Sequence, residues 1–109
     1  ASRLPPLARL RFVREPSDAV VSRGADVVLE CAAESEGGIP AIRWKKDGEL
    51  LDLEADERRQ QLANGSLWIR NVLHSRHHKP DEGVYQCLAV LQDRGAIGSR
   101  PAKVAVAGG

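Results

Sequence analysis

The sequence predicts an all-β fold, a sandwich of two antiparallel sheets. Three observations carry that prediction. Short apolar runs alternate with turn residues from Arg11 onward, and no stretch holds a helical period. Two cysteines and a tryptophan also fall in phase on the inward side of those runs. The 109 residues leave room for one domain with one core. Sixteen basic against fifteen acidic residues give a formal charge of +1, which lacks the basic excess of a nucleic-acid binder. No stretch approaches the roughly 18 apolar residues of a membrane span.

Residues 1–10 read as a lead-in, with Pro5-Pro6 blocking regular structure, and residues 11–108 as the domain. The lead-in carries Arg3 and Arg9 and is not an intact signal peptide, and methionine is absent, as in a processed or excised piece. A membrane anchor is therefore expected outside this chain. Glu15-Pro16 should break the first strand in two, letting one piece pair with each sheet. Val27, Leu29 and Cys31 then point inward, with Asp26, Val28 and Glu30 outward. Ile42 and Trp44 point inward again, and Arg43 and Lys45 point to water. Lys46-Asp47-Gly48 supplies a tight turn into a short segment around Leu50 and Leu51. In the charged stretch that follows, Glu54, Asp56 and Glu57 read as solvated acids. A strand over residues 59–62 leads to Asn64-Gly65, a hairpin signal because both residues tolerate positive φ. Beyond it Leu67 and Ile69 face the core. Tyr85, Cys87 and Ala89 share the inward face of the next strand. Arg94-Gly95 turns the chain into a last strand with Val104 and Val106 inward. The count is about eight short strands.

Cys31, Trp44 and Cys87 narrow the class. A disulfide between the second and next-to-last strands, with an indole packed on it, is the frame of an immunoglobulin-like β-sandwich, here of the I-set type. Tyr85 stands two residues before the second cysteine, the tyrosine-corner position. Asp81 should receive an arginine from the start of the strand near residue 59: Arg58, with Arg59 as the alternative. These residues read as structural. A zinc site needs four ligands at short spacing, and the chain offers an isolated pair of cysteines. A catalytic Cys-His pair would need an orienting third group and an exposed thiol. The disulfide reading places the domain in an oxidising compartment.

Several segments resemble the first immunoglobulin domain of the DCC/neogenin family of netrin receptors: residues 15–20, residues 43–48, Asn64-Gly65-Ser66-Leu67, residues 74–83, and the closing residues 102–108. The His-rich segment before the corner is the most specific of these. The resemblance implies an extracellular domain of a single-pass receptor acting in axon guidance, cell adhesion and migration. It implies four immunoglobulin domains ahead of fibronectin repeats, with netrin engaged through the full ectodomain and the first immunoglobulin domain folded onto the fourth.

Other constellations invite a functional reading. Asn64-Gly65-Ser66 is an N-glycosylation sequon, against the reading that Asn-Gly serves only the turn. His74, His77 and His78 cluster with Arg76 and Lys79, but no fourth ligand or second shell is visible, and a solvated loop is the default. No metal or cofactor is expected. Arg43 and Lys45, with Arg58, Arg59, Arg76 and Lys79 elsewhere, offer cations to heparan sulfate. Val84, Leu88 and Val90 are apolar on the outward phase of their strand, which points to a contact patch with Arg43 and Lys45 at its rim. No nucleophile–base pair or paired carboxylates converge, so an enzyme is the least supported class. The competing readings are a generic cell-adhesion immunoglobulin domain and an intracellular structural domain of the same fold; the cysteine pair and the sequon both argue against the latter. An antibody variable domain would need a Phe/Trp-Gly-x-Gly signature in the last strand, which is missing.

Overall fold

The break at Pro16 hands the start of the chain from one sheet to the other. In the computed structural model, which describes residues 9–92 and 94–107, β1 (Arg11–Arg14) pairs antiparallel with β4 (Ala32–Glu34). After the proline, β2 (Ala19–Val21) runs parallel to β11 (Ala102–Val106) in the other sheet. The expected lead-in lies mostly outside the described residues. Its end does not: Leu10 is buried against Ala89 and Leu91 in a small satellite core.

Besides the β1-β4 pair, two sheets make up the sandwich. β3 (Val27–Leu29), β8 (Leu67–Ile69) and β7 (Arg59–Gln61) pair in the order β3-β8-β7. Facing them is the order β2-β11-β9-β5-β6, where β9 spans Gly83–Leu91, β5 Ala41–Lys46 and β6 Glu49–Leu50. β10 (Gly95–Gly98) pairs with the far half of β9. Between the layers sit Leu29, Trp44, Leu67, Ile69, Val72, Tyr85 and Val104, all buried around the Cys31–Cys87 disulfide. Every one of these except Val72 stands at an inward position read from the alternation; Val72 caps the core from the connection after β8.

The last strand differs from expectation. It is split into β10 and β11 by Ser99-Arg100-Pro101, because Pro101 has no N–H to offer a ladder. Arg100 laces this break to the one at Pro16. Its Nε donates to the Pro16 carbonyl (2.8 Å), its Nη2 to Ser17 Oγ (3.0 Å), and its backbone N–H to Glu15 Oε1 (2.8 Å).

The two turns fare differently. Asp47 and Gly48 both adopt positive φ (51° and 85°), the paired left-handed conformation of a two-residue hairpin between β5 and β6. At Asn64-Gly65 only Gly65 does so (φ 105°), inside a five-residue connection over residues 62–66. Asn64 instead accepts a bond from Ser66 N (2.9 Å) through Oδ1. Gly65 is required for space as well. A Cβ there would stand 2.7 Å from Ile42 Cγ1 and 3.0 Å from the Cys31 carbonyl.

Candidate protein-binding face

The polar cluster beside the core is structural, and its geometry removes it from the candidate surface. Tyr85 donates its phenol to the Asp81 carbonyl (2.8 Å). Burial pushes the Tyr85 pKa up to about 12; the Asp81 and Asp47 carboxylates add to the rise and the Arg59 guanidinium opposes it. The Asp81 carboxylate is fully buried and accepts four bonds. Arg58 supplies two (2.7 and 2.9 Å), Arg59 one (3.1 Å) and Leu73 N one (2.7 Å). The sequence poses Arg58 and Arg59 as alternatives; both reach the acid. Asp56, expected to be solvated, is half-buried and grips Arg59 Nη1 (2.9 Å) while accepting from the backbone N–H of Arg58 and Arg59 (2.9 Å each). Burial pushes the Asp56 carboxyl up, but those bonds outweigh it and hold it below the usual carboxylate range. Arg58 and Arg59 are thus held against the core by the Asp81 and Asp56 carboxylates.

Two buried serines support the disulfide, a role that the sequence assigned to neither. Ser66 Oγ accepts from Cys31 N (3.1 Å), and Ser99 Oγ accepts from Cys87 N (3.0 Å). Each stands at a break in a ladder, where a hydroxyl replaces the missing backbone acceptor. A serine in a turn carries no signal in sequence that separates this role from a solvated one.

The outward side of the larger sheet is assembled by register. Arg43 and Lys45 on β5 lie opposite Leu88 and Gln86 on β9, and Leu50 on β6 lies opposite Lys45. Ala96 and Gly98 on β10 face Val90 and Leu88, and Lys103 on β11 faces Val84. Val20 on β2 lies beside Ala105. The face therefore joins an apolar centre to three cations, and none of these strand positions is acidic. Val84 is 43 % exposed, whereas Leu88 and Val90 are half-buried. Leu88 leans over Gly98, where an added Cβ would lie 3.5 Å from its Cδ2. Lys45, expected in water, is half-buried too. At one end Asp47 accepts from Val84 N (2.9 Å), which with Lys46 beside it holds its carboxyl below the usual range.

The three histidines do not converge. His74 is half-buried with Nδ1 2.6 Å from Glu82 Oε1, while His77 and His78 are exposed on a loop closed by paired bonds between Ser75 and His78. Among the described residues no three His, Cys, Asp or Glu side chains come together as metal ligands. Asn64 is exposed, whereas Ser66 of the same sequon is buried. On the other sheet Trp68 points outward, stacked under Arg70 at 5.1 Å and bonded through Nε1 to Asp26 (3.2 Å).

A cystine joining two sheets over a buried indole, with the tyrosine corner beside it, defines an immunoglobulin domain. The chain belongs to that family: the family described as Immunoglobulin domain matches residues 11–90. More narrowly, it is 68 % identical over 99 residues to the netrin receptor DCC of Homo sapiens, covering 91 % of this chain and 7 % of that protein. It is 55 % identical over 97 residues to neogenin of Homo sapiens, covering 89 % and 7 %. The chain thus spans a small part of these relatives' length. Among solved structures it is similar to Drosophila OTK extracellular domains 3–5 (TM-score 0.76, 29 % identity, 92 % of this chain and 32 % of that one). It is also similar to the N-terminal Ig1-2 module of the Drosophila receptor protein tyrosine phosphatase DLAR (TM-score 0.74, 27 %, covering 91 % and 46 %).

Proposed function

We propose that residues 11–108 form an extracellular protein-recognition domain of a DCC/neogenin-like guidance receptor, on the outer side of the plasma membrane, and that residues 1–10 lead into it. The likeness to netrin receptor DCC and neogenin supports the setting. The single observation that carries the recognition role is the apolar face across β5, β9, β10, β11 and β2, whose strand positions hold three cations and no acid. Apolar centre and polar rim are the anatomy of a modest protein interface. Two copies joined through this face would set Arg43, Lys45 and Lys103 against themselves, so the partner is a different surface carrying carboxylates. Another immunoglobulin domain of the same ectodomain fits that role, with netrin engaged by the ectodomain as a whole. Asn64, exposed at a loop away from this face, carries an N-linked glycan in this reading.

The test is small-angle scattering on a receptor fragment holding this domain and the immunoglobulin domains after it. Val84→Asp puts charge into the contact at an exposed position and should open the fragment, raising its radius of gyration. A compact envelope unchanged by the substitution refutes this use of the face. Heparan sulfate is a second reading favoured by the same three cations. Retention of the domain on immobilised heparin, lost on combined Arg43→Ala and Lys45→Ala substitution, would support it.

A further inference from the structure

At the open edge of the larger sheet, the strand that ends the recognition face carries backbone groups that the face itself does not use. Among the described residues β2 is the terminal strand of that sheet, with β11 on one side and no strand on the other. In a parallel ladder, alternate residues turn both backbone groups toward the partner strand. Ala107 N donates to the Val21 carbonyl (2.7 Å), which fixes the phase. Ala19 and Val21 therefore face β11, and Val20 turns its N–H and C=O to the open side. Its side chain is 75 % exposed. Most domains blunt such an edge with charge, proline or a bulge. Three other terminal strands differ from it: β6 has two residues, Gln61 on β7 sends its side chain across to the Ile42 carbonyl (3.1 Å), and β3 is flanked by exposed acids at both ends, Asp26 and Glu30. β2, Ala19-Val20-Val21, has no such device.

We propose that β2 is a homophilic contact: a second copy of this chain adds its own β2 antiparallel, with the twofold axis at Val20. The stretch around the strand is self-complementary in that direction. It runs Asp18-Ala19-Val20-Val21-Ser22-Arg23, acidic at one end and basic at the other, with both end residues exposed. Antiparallel alignment lays the Asp18 end of each copy beside the Ser22–Arg23 end of its partner. The two Val20 residues exchange N–H···O=C bonds and cover one another's side chains. Lys103, the nearest cation of the recognition face, sits one strand inward, so the two copies of it stand about 14 Å apart, three strand spacings. At physiological salt that distance is largely screened. The interface is small, and a weak dimer is expected. On a cell surface, where many copies are confined together, a weak contact of this kind is amplified by effective concentration.

Sedimentation velocity on the chain from micromolar to millimolar concentration reads the result. The weight-average mass should climb from monomer toward dimer. Val20→Pro, which deletes an N–H that the fold leaves unused, should hold the protein at monomer mass with its thermal midpoint nearly unchanged. Val20→Lys, which places two cations at the twofold, should do the same and serves if the proline variant fails to fold. Val20→Ala keeps both backbone groups and should still dimerise. Monomer mass at every concentration overturns the proposal. So does a dimer that survives both Val20→Pro and Val20→Lys, or one abolished by Val84→Asp in their place, which would assign self-association to the recognition face.

Discussion

Tyr85 is the single tyrosine of the chain, so its titration reports on the corner without interference. Its folded pKa, pushed up to about 12 by burial, stands above the roughly 10 of an exposed phenol. The fold therefore binds the phenolic proton more tightly than the unfolded chain does. The stability that this supplies is fully present below about pH 10 and is lost as pH rises from about 10 to about 12. Phenolate absorbance should stay absent from the folded protein at pH 10 and grow in only as the circular dichroism of the sheets is lost. Phenolate signal at pH 10 with an intact spectrum would refute the buried corner. Tyr85→Phe should lower the urea midpoint by an amount corresponding to roughly 1 kcal/mol, since the Asp81 carbonyl loses its donor. Much of this cluster was legible, because Asp81, Tyr85 and Cys87 stand at fixed offsets. The double use of Arg58 and Arg59 was not. Neighbouring strand residues point to opposite faces, so sequence alternation allows one of them; Arg58, just ahead of β7, escapes that rule and both guanidiniums reach the acid.

At the scale of the element, the loop between β7 and β8 does two jobs with one tripeptide. Asn64 is exposed and is the proposed glycan site, whereas the Ser66 hydroxyl is the acceptor for Cys31 N (3.1 Å). Two substitutions that destroy the sequon equally should therefore differ in stability. Expressed in a secretory eukaryotic host, Asn64→Gln should remove one N-linked glycan from the mass. It should cost less stability than Ser66→Ala, which leaves a buried N–H without an acceptor and costs about 1–3 kcal/mol. The comparison is made after enzymatic deglycosylation of the wild type. Equal midpoints for the two variants would show that the Ser66 bond is dispensable. A wild-type mass without glycan would remove the site. Strand alternation named the inward residues of this loop's neighbours. It missed the break at residues 99–101, although Pro101 was there to signal it, because the inward phase resumes intact at Val104 on the far side.

For the whole molecule, the disulfide closes a 56-residue separation between the two sheets. In the chain-entropy account a loop of that length stabilises the fold by about 4 kcal/mol. Paired Cys31→Ala and Cys87→Ala substitution should lower unfolding free energy in urea by an amount of that order. A loss below about 1 kcal/mol would mean that the core around Trp44 holds the sheets without it. The sequence by itself determined the all-β class, the inward set Leu29, Cys31, Trp44, Tyr85 and Cys87, and the likeness to its receptor relatives, because period-two alternation and fixed offsets are local properties of the chain. Only the tertiary structure decided which outward residues become neighbours. Arg43, Val84 and Lys103 share one face through strand register, and Val20 ends that face at an open edge. No spacing in the sequence encodes that, because each neighbour is supplied by a distant segment whose pairing is set when both sheets close over one core.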